Sequence, residues 1–447
     1  EVHAEEAGAS GYFLAGRGLT WWLVGFSLIA ANISTEQFVG MSGSAATWLG
    51  MAIASSEWMA AVTLVVVAFW FLPRFLKAGL YTIPEFLQYR FDGVARLAMA
   101  IPAIVTLVFV TTSSVIFSGA KFVSEYYNTV PVLSNLTAMC WLIAAVAAIY
   151  VFVGGLKACA WTDLIWGAAL VLGGAIVMWF AFQTLADKPA DELIKTKVAN
   201  SSATVEDLEG AGAWERLKLL NDGKDGEAVA MNGPNQSGGK MHMVRPKEDS
   251  DIPWTALLIG LWIPNFFYWG LNQYIVQRTL GSKSVAEGQK GIVFAAFLKL
   301  IIPFVVVIPG ILAFNLFSGD LHKGAAESNL KTFEGLTDAQ VVQVEPTFVE
   351  LQPDLAAKAL ARKAKAAGDT TAAAGATPEE TASVINSLAD KAADAGSTVA
   401  GTLKGYDYDA AFPVLVRNLI KPTPWISWFV LAALCGVIFT GSSETGR

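Results

Sequence analysis

Six consecutive residues, Asn32-Ile33-Ser34-Thr35-Glu36-Gln37, interrupt an otherwise apolar stretch from Leu23 to Ala45. Asn, Ser and Thr compete for backbone hydrogen bonds, so a helix loosens there. Polar groups at membrane depth are costly unless they face a cavity, a partner or an ion. A loosened turn also frees backbone carbonyls, whose oxygens can replace the water shell of a small hard cation. Glu57 lies early in a second apolar stretch, AIASSEWMAAVTLVVVAFW, and Lys299 lies inside a third, GIVFAAFLKLIIPFVVVIPG. A charge near the centre of a spanning helix costs on the order of 3 kcal/mol. The two residues are therefore partners for each other, or both serve one ligand; Glu57 also admits a purely structural role against a neighbouring helix. A fourth stretch holds Pro264-Asn265-Phe266-Phe267-Tyr268-Trp269-Gly270-Leu271-Asn272-Gln273. Carboxylate, amide and phenol groups together suit a neutral polyhydroxy solute, and the ring of Tyr268 offers a flat face to the apolar side of a sugar.

These residues ride on apolar runs close to the ~20 residues that a spanning helix needs. The 447-residue chain is 54% hydrophobic and 15% charged, with a mean hydropathy of +0.48. Soluble domains carry roughly 25% charged residues, so the composition predicts a polytopic α-helical membrane protein. Eight spans are expected, at residues 21–44, 50–72, 98–119, 136–154, 161–185, 253–276, 291–317 and 424–441. Arg74, Lys77, Arg90 and Arg96 follow the second span, Lys157 the fourth, and Arg278, Lys283 and Lys290 the sixth. If spans alternate, these short basic connections share one side, which the positive-inside rule makes cytoplasmic. The first and sixth spans, both interrupted, lie five apart. That is the pattern of a transporter built from inverted repeats with its site at the midplane. Pro264 admits two readings, a simple kink or a broken helix lining a site.

Residues 186–252 and 318–423 are long polar segments on the opposite face. GPNQSGGK in the first lacks the phosphate-loop pattern and reads as a solvated loop. The Ala-rich part of the second is expected either to form surface helices, starting at Thr377-Pro378-Glu379-Glu380, or to stay partly disordered. The net charge of −7 arises mostly from such polar segments. No basic patch interleaved with aromatics points to nucleic acid. Cys140, Cys159 and Cys435 form no CxxC pair, and His3, His242 and His322 show no metal-ligand spacing, which argues against a metal-dependent enzyme. The acidic start EVHAEEAGASG is not a signal peptide.

The strings YFLAGR, SLIAANISTEQFVGMSGSA, SSEWMAA, YTIPEFLQYRF, VGGLKACAWTDLIWG, NFFYWGLNQYIVQRTL and KGIVFAAFLKLIIPFVVVIPGI resemble the sodium:solute symporter family, specifically its sodium/sugar (glucose/galactose) branch. The resemblance covers most of residues 12–185 and 253–315. It implies an all-α polytopic membrane protein of the leucine-transporter type, with five plus five helices in inverted repeats that work by alternating access. The implied plan is a polar lead at 1–20, helices one to five (the first repeat) at 21–185, a polar extracytoplasmic loop at 186–252, helices six and seven at 253–317, an Ala-rich extracytoplasmic loop at 318–423 and a partial eighth helix at 424–447. By position, Gln37, Glu57, Asn265 and Lys299 match the family's sugar-contacting residues, with Asn32 and Ser34 close by. Tyr268 matches the aromatic that covers the sugar on the cytoplasmic side. Ala30 and Ile33 match positions whose carbonyls ligate sodium, and Asp163 matches an acidic residue that helps sodium leave. The alternative for Asp163 is an interfacial or helix-start charge.

Three departures accompany the match. Ala60 stands where some sugar transporters place a serine, and one extra residue separates Gln37 from Glu57. ALCGVIFTGSSETGR follows the family's eighth core helix only to Ile438, which puts Val437, Thr440 and Gly441 at the sodium-ligand positions, with Ser442 and Ser443 just beyond. With the helix before YFLAG and the ninth and tenth core helices not seen, the chain reads as a fragment or a truncated reading frame of about eight transmembrane helices.

The expected function is sodium-coupled symport of a galactose- or glucose-like sugar into the cell, across an inner or plasma membrane. Each sodium supplies about 2.3 kcal/mol per 100 mV of potential. Rival readings are uptake of inositol, sialic acid or proline, a membrane sensor derived from a transporter, and a membrane enzyme. Lys299 with Glu57 and Gln37 favours a polyol over an amino acid, and no nucleophile–base pair supports an enzyme. The expected partners are a small sugar, sodium and the bilayer, without nucleic acid. The sequence carries no signal of oligomeric state.

Overall fold

The computed structural model describes residues 14–33, 35–80, 82–198, 201–225, 239–247, 249, 251–337, 339–366, 374–375 and 377–420, with the backbone alone at 150–160, 162, 166, 365 and 366. The first helix, α1 (Trp21–Asn32), stops where the polar run begins, and Ile33 leaves helical geometry at φ −83°, ψ 85°. The chain resumes as a π turn over Gln37–Met41 and continues into α2 (Ser42–Ala46). The wider turn re-aims the side chains that follow it, a feature common at functional sites. Next come α3 (Gly50–Lys77), α4 (Ile83–Arg90), α5 (Gly93–Tyr126) and α6 (Leu136–Asp187). Asp92 and Asn135 cap α5 and α6 by accepting from Ala95 N (2.8 Å) and Ala138 N (3.1 Å). Where a connection was expected after residue 154, α6 runs through without a break. Gly154 and Gly155 weaken a helix by about 1 kcal/mol each but do not bar one.

Beyond residue 187 the chain forms a folded cap that includes α7 (Ala213–Asp222). Arg216 on α7 donates to the carbonyls of Leu185, Ala186 and Lys188 at 2.8–3.0 Å, which satisfies the orphan carbonyls at the end of α6. Lys240 O accepts from Met51 N at 2.6 Å, and Arg245 donates to Trp48 O and Leu49 O. Lys240, the last residue of GPNQSGGK, is buried, so at that position the solvated-loop reading fails. Its aliphatic stem and ammonium find a place against Phe314, 3.8 Å from the ring centroid.

The sixth span is interrupted, but not at the proline. A π turn over Ala256–Gly260 leads into α8 (Trp262–Gly270), and Pro264 falls in its first turn, where a missing N–H costs little. The break comes at Leu271 (φ −128°, ψ −14°) and Asn272 (φ −73°, ψ 122°), followed by α9 (Gln273–Leu280). α10 (Val285–Glu334) then carries Lys299 and has non-helical geometry at Phe317. Among the described residues, Gly50–Lys77, Gly93–Tyr126, Asp163–Asp187 and Val285–Glu334 are long and apolar enough to cross a membrane, and Trp21–Asn32, Leu136–Ile149 and Ala256–Gly270 are shorter apolar helices. The span expected at 424–441 lies outside the described residues. Phe69, Trp70, Ile101, Phe109, Ile263 and Phe297 are exposed, as a lipid-facing surface requires. α1 and α10 pack backbone to backbone: a Cβ on Gly25 would lie 2.9 Å from Gly291 O, and one on Gly291 would lie 2.7 Å from Trp21 O. Small residues permit that approach.

The chain divides into two compact units, residues 1–316 with 411–447, and Phe317–Ala410. The second unit pairs β1 (Gln340–Val344) in parallel with β2 (Thr398–Leu403), from Gln340↔Thr398 to Val344↔Leu403 with a bulge at Val341/Val342. Between the strands lie α11 (Pro346–Leu351), α12 (Pro353–Ala366) and α13 (Pro378–Asp394). α13 begins at the Thr-Pro-Glu-Glu string: Thr377 Oγ1 accepts from Glu380 N at 3.2 Å. Val342, Val344, Phe348, Ile385 and Leu403 form its core. In the first unit, α14 (Ala411–Ile420) packs Phe412 edge-on against Phe38, centroids 4.6 Å apart.

Candidate functional site

Breaking α1 at Ile33 puts Asn32 at a helix end, beside the polar residues of α3, α8 and α10. The ammonium of Lys299, fully buried on α10, donates to the Glu57 carboxylate on α3 and to Asn32 Oδ1. Gln37, in the π turn, donates from Nε2 to Asn32 Oδ1 (3.1 Å) and Glu57 Oε1 (3.3 Å). Asn32 Nδ2 in turn donates to Tyr268 Oη at 3.1 Å, and that hydroxyl is hydrogen-bonded to Tyr274 Oη. Asn265 donates to Leu261 O (2.9 Å) and Ser56 O (3.4 Å), tying α8 to α3 one residue before Glu57. Lys299 also lies 5.0 Å from the centroid of buried Trp269, a cation–π contact. A buried charge pair is tolerated only when its remaining lone pairs and protons are also bonded. Here the amides of Asn32 and Gln37 do that. One acceptor is left over: Gln37 Oε1 is buried with no hydrogen-bond partner.

Asn32, Gln37 and Tyr268 line a cavity of about 430 Å³ together with Glu36, Ser44 and Tyr274. Ligand sites typically enclose roughly 300–1,000 Å³, so one small polar solute fits. Glu36 accepts from Ser114 Oγ of α5 at 2.9 Å, which fixes a carboxylate in the wall. Glu57, Asn265 and Lys299 do not line this cavity. Glu57 and Lys299 reach it through the side chains of Asn32 and Gln37.

Ala30 and Ile33 are buried at the end of α1, where carbonyls leave the intrahelical ladder. Gly167 of α6 lies against Ala30; a Cβ there would come 3.0 Å from Ala30 Cβ. One turn earlier, Ser27 Oγ donates to Asp163 Oδ2 at 2.6 Å and accepts from Arg278 Nε at 2.9 Å. Arg278 Nη2 is 3.7 Å from the same carboxylate oxygen, and both residues are buried. Asp163 is therefore buried and lies within α6 rather than at a helix start. Ser34, Val437, Thr440 and Gly441 lie outside the described residues.

The structure thus brings Asn32, Gln37, Glu57, Tyr268 and Lys299 into one network, with Asn265 beside it and Asp163 on a separate cluster. Sequence reasoning missed Ser114, Tyr274, Trp269, Ser27 and Arg278 as members of these clusters. Arg278 was counted as a loop charge because it follows the sixth span. Its placement depends on α9 turning back into the protein, which no local pattern announces.

A profile of the sodium:solute symporter family matches residues 12–343. The chain is 41% identical to a sodium/glucose cotransporter of Vibrio parahaemolyticus over 69% of its own length and 50% of that protein. It is 33% identical to sodium/glucose cotransporter 1 of Sus scrofa over 69% of its length and 43% of that protein. The chain thus spans about half the length of the curated relatives it matches. A solved Na+-coupled sialic acid symporter in a substrate-bound outward-open state superposes with a TM-score of 0.56 at 16% identity, over 99% of this chain and 68% of that one. That likeness carries the fold alone, an all-α membrane architecture of the leucine-transporter type. A broken first helix, a broken sixth span and buried polar residues between them agree with the profile match: the chain is an integral membrane protein and belongs to the sodium:solute symporter family.

Proposed function

We propose that the protein carries a neutral sugar of the glucose or galactose type into the cell together with sodium, by alternating access. The observation that supports this most is the Asn32–Gln37–Glu57–Lys299 network against the cavity wall. It offers amide donors and acceptors to hydroxyl groups, with a carboxylate and an ammonium behind them to hold the amides in place. Because Lys299 is already paired with Glu57, it suits a polyol better than a solute whose carboxylate needs a cation. The named activity of the relatives points the same way. In this reading Asn32, Ser34, Gln37, Glu57, Asn265, Tyr268 and Lys299 serve the sugar. The carbonyls of Ala30 and Ile33, with Val437, Thr440 and Gly441, serve sodium, and Asp163 draws it onward. The sodium carbonyls and the sugar amide of Asn32 share one turn of α1, so an ion that orders this turn also orders Asn32. Binding of each ligand then strengthens the other. The protein would act in a cell's inner or plasma membrane, with the basic segment that carries Arg74, Lys77, Arg90 and Arg96 on the cytoplasmic side.

Equilibrium binding of radiolabelled galactose and glucose to the purified full-length protein tests this reading. Affinity for one of them is expected to be about tenfold higher in sodium chloride than in choline chloride. Binding that ignores sodium contradicts the reading.

A further inference from the structure

The sugar-side and cation-side clusters meet on one short helix. Tyr274 and Arg278 sit four residues apart on α9, hence on one face. Tyr274 reaches the sugar side, where its hydroxyl holds Tyr268, which in turn accepts from Asn32. Arg278 reaches the cation side, where it contacts Ser27 (2.9 Å) and Asp163 (3.7 Å). The guanidinium also donates to Tyr274 O and lies 5.9 Å from the Tyr274 ring centroid. An unbroken run of contacts therefore joins Asn32 to Asp163 through α9. The helix is set off from α8 by the non-helical pair Leu271–Asn272. Two cavities flank this point and share Thr111. The first includes Tyr268 and Tyr274, and the second, of about 280 Å³, includes Phe267, Asn272 and Gln273 on the side of Pro84 and Pro102. The tyrosine pair lines the first, one residue on from Phe267 and Gln273 of the second.

We propose that Arg278 is a positioning residue that ties the Tyr268 gate to passage of the cation beyond Asp163, by carrying both contacts on the rigid helix α9. This rests on the sodium–sugar reading above. While α9 is docked, Arg278 and Ser27 compensate the Asp163 carboxylate, so it exerts little pull on a cation leaving the end of α1. Tyr274 meanwhile holds Tyr268 in the wall of the first cavity, against Asn32. A tilt of α9 about Leu271–Asn272 removes both restraints in one movement. Asp163 is then free to draw the cation on, and Tyr268 is free to turn aside. The two events bias one two-state element, which is the physical requirement for coupling.

The test compares radiolabelled sodium flux and sugar flux in proteoliposomes holding the full-length protein, Tyr274→Phe or Arg278→Lys. Tyr274→Phe removes only the hydroxyl link, and Arg278→Lys keeps the charge but loses the fork that spans Ser27 and Tyr274. Each variant is expected to raise sugar-independent sodium flux relative to sugar flux by about three- to tenfold. A merely structural role lowers both fluxes in proportion, and an unchanged ratio in either variant overturns the proposal. Wild-type protein without sodium-driven sugar uptake would instead overturn the functional reading, and this inference with it.

Discussion

The ammonium of Lys299 on α10 is paired with the carboxylate of Glu57 on α3, and the pair is buried away from solvent. Taking two charges out of water costs several kcal/mol per ion, so such a pair stabilises little beyond an apolar contact of the same size. Its value is chemical. Set behind Asn32 and Gln37, it orients the two amides that face the cavity.

Removing one charge therefore differs from removing both. Lys299→Met leaves Glu57 buried without its cation and is expected to lower stability by about 3–5 kcal/mol. The double variant Glu57→Gln with Lys299→Met should recover most of that loss. Thermal unfolding of the detergent-purified proteins checks this; equal losses in both would contradict a buried, coupled pair.

Gln37 Oε1 is a buried acceptor without a partner, which a ligand hydroxyl can satisfy. Gln37→Ala removes both this acceptor and the Nε2 contacts, and should weaken sugar binding about tenfold, the equivalent of 1.4 kcal/mol in lost hydrogen bonding. Thermal stability should fall far less than in Lys299→Met, because Gln37 carries no charge. Unaltered sugar affinity would remove Gln37 from the site.

Gly310 on α10 approaches Ser42 of α2 so closely that a Cβ would lie 2.2 Å from the Ser42 carbonyl oxygen. Gly310→Ala forces the two backbones apart, at an expected cost of about 1–3 kcal/mol. The fall in melting temperature of Gly310→Ala relative to wild type measures it.

In the cap, burial pushes the Lys240 ammonium from 10.5 down to about 7. Its contacts, Ala46 O at 2.8 Å and the Phe314 ring, bring no formal negative charge. The folded protein releases this proton above about pH 7, while the unfolded chain keeps it until about 10.5. Between those values the unfolded state binds more protons, so this group makes stability rise with pH by at most ~1.4 kcal/mol per unit. Below pH 7 both states are protonated and the contribution is flat. Melting curves from pH 6 to 9 should show the rise in wild type and a weaker rise in Lys240→Met.

Much of this was legible in the sequence because membrane burial makes polar residues conspicuous. The run from Asn32 to Gln37, Glu57 and Lys299 all fall within apolar stretches, and the cost of leaving a charge unpaired there points to a partner for each. The break in the sixth span was also legible, but its position was not. Proline looks like a breaker in sequence, yet a proline in a first turn is harmless, and the chain departs from helix after Gly270 instead. The cap was hidden for the opposite reason. Lys240, Arg216 and Arg245 look like solvated charges, and only the carbonyls at helix ends, invisible in sequence, draw them inward. Arg278 was misread in the same way.

In the proposed function a sodium gradient drives a sugar through this site. The most direct measurement is uptake of labelled galactose or glucose into proteoliposomes containing the full-length protein, with sodium outside and potassium inside. Accumulation is expected to collapse when external sodium is replaced by choline and to fall in Gln37→Ala. Uptake that proceeds equally without a sodium gradient, or equally in Gln37→Ala, would contradict it.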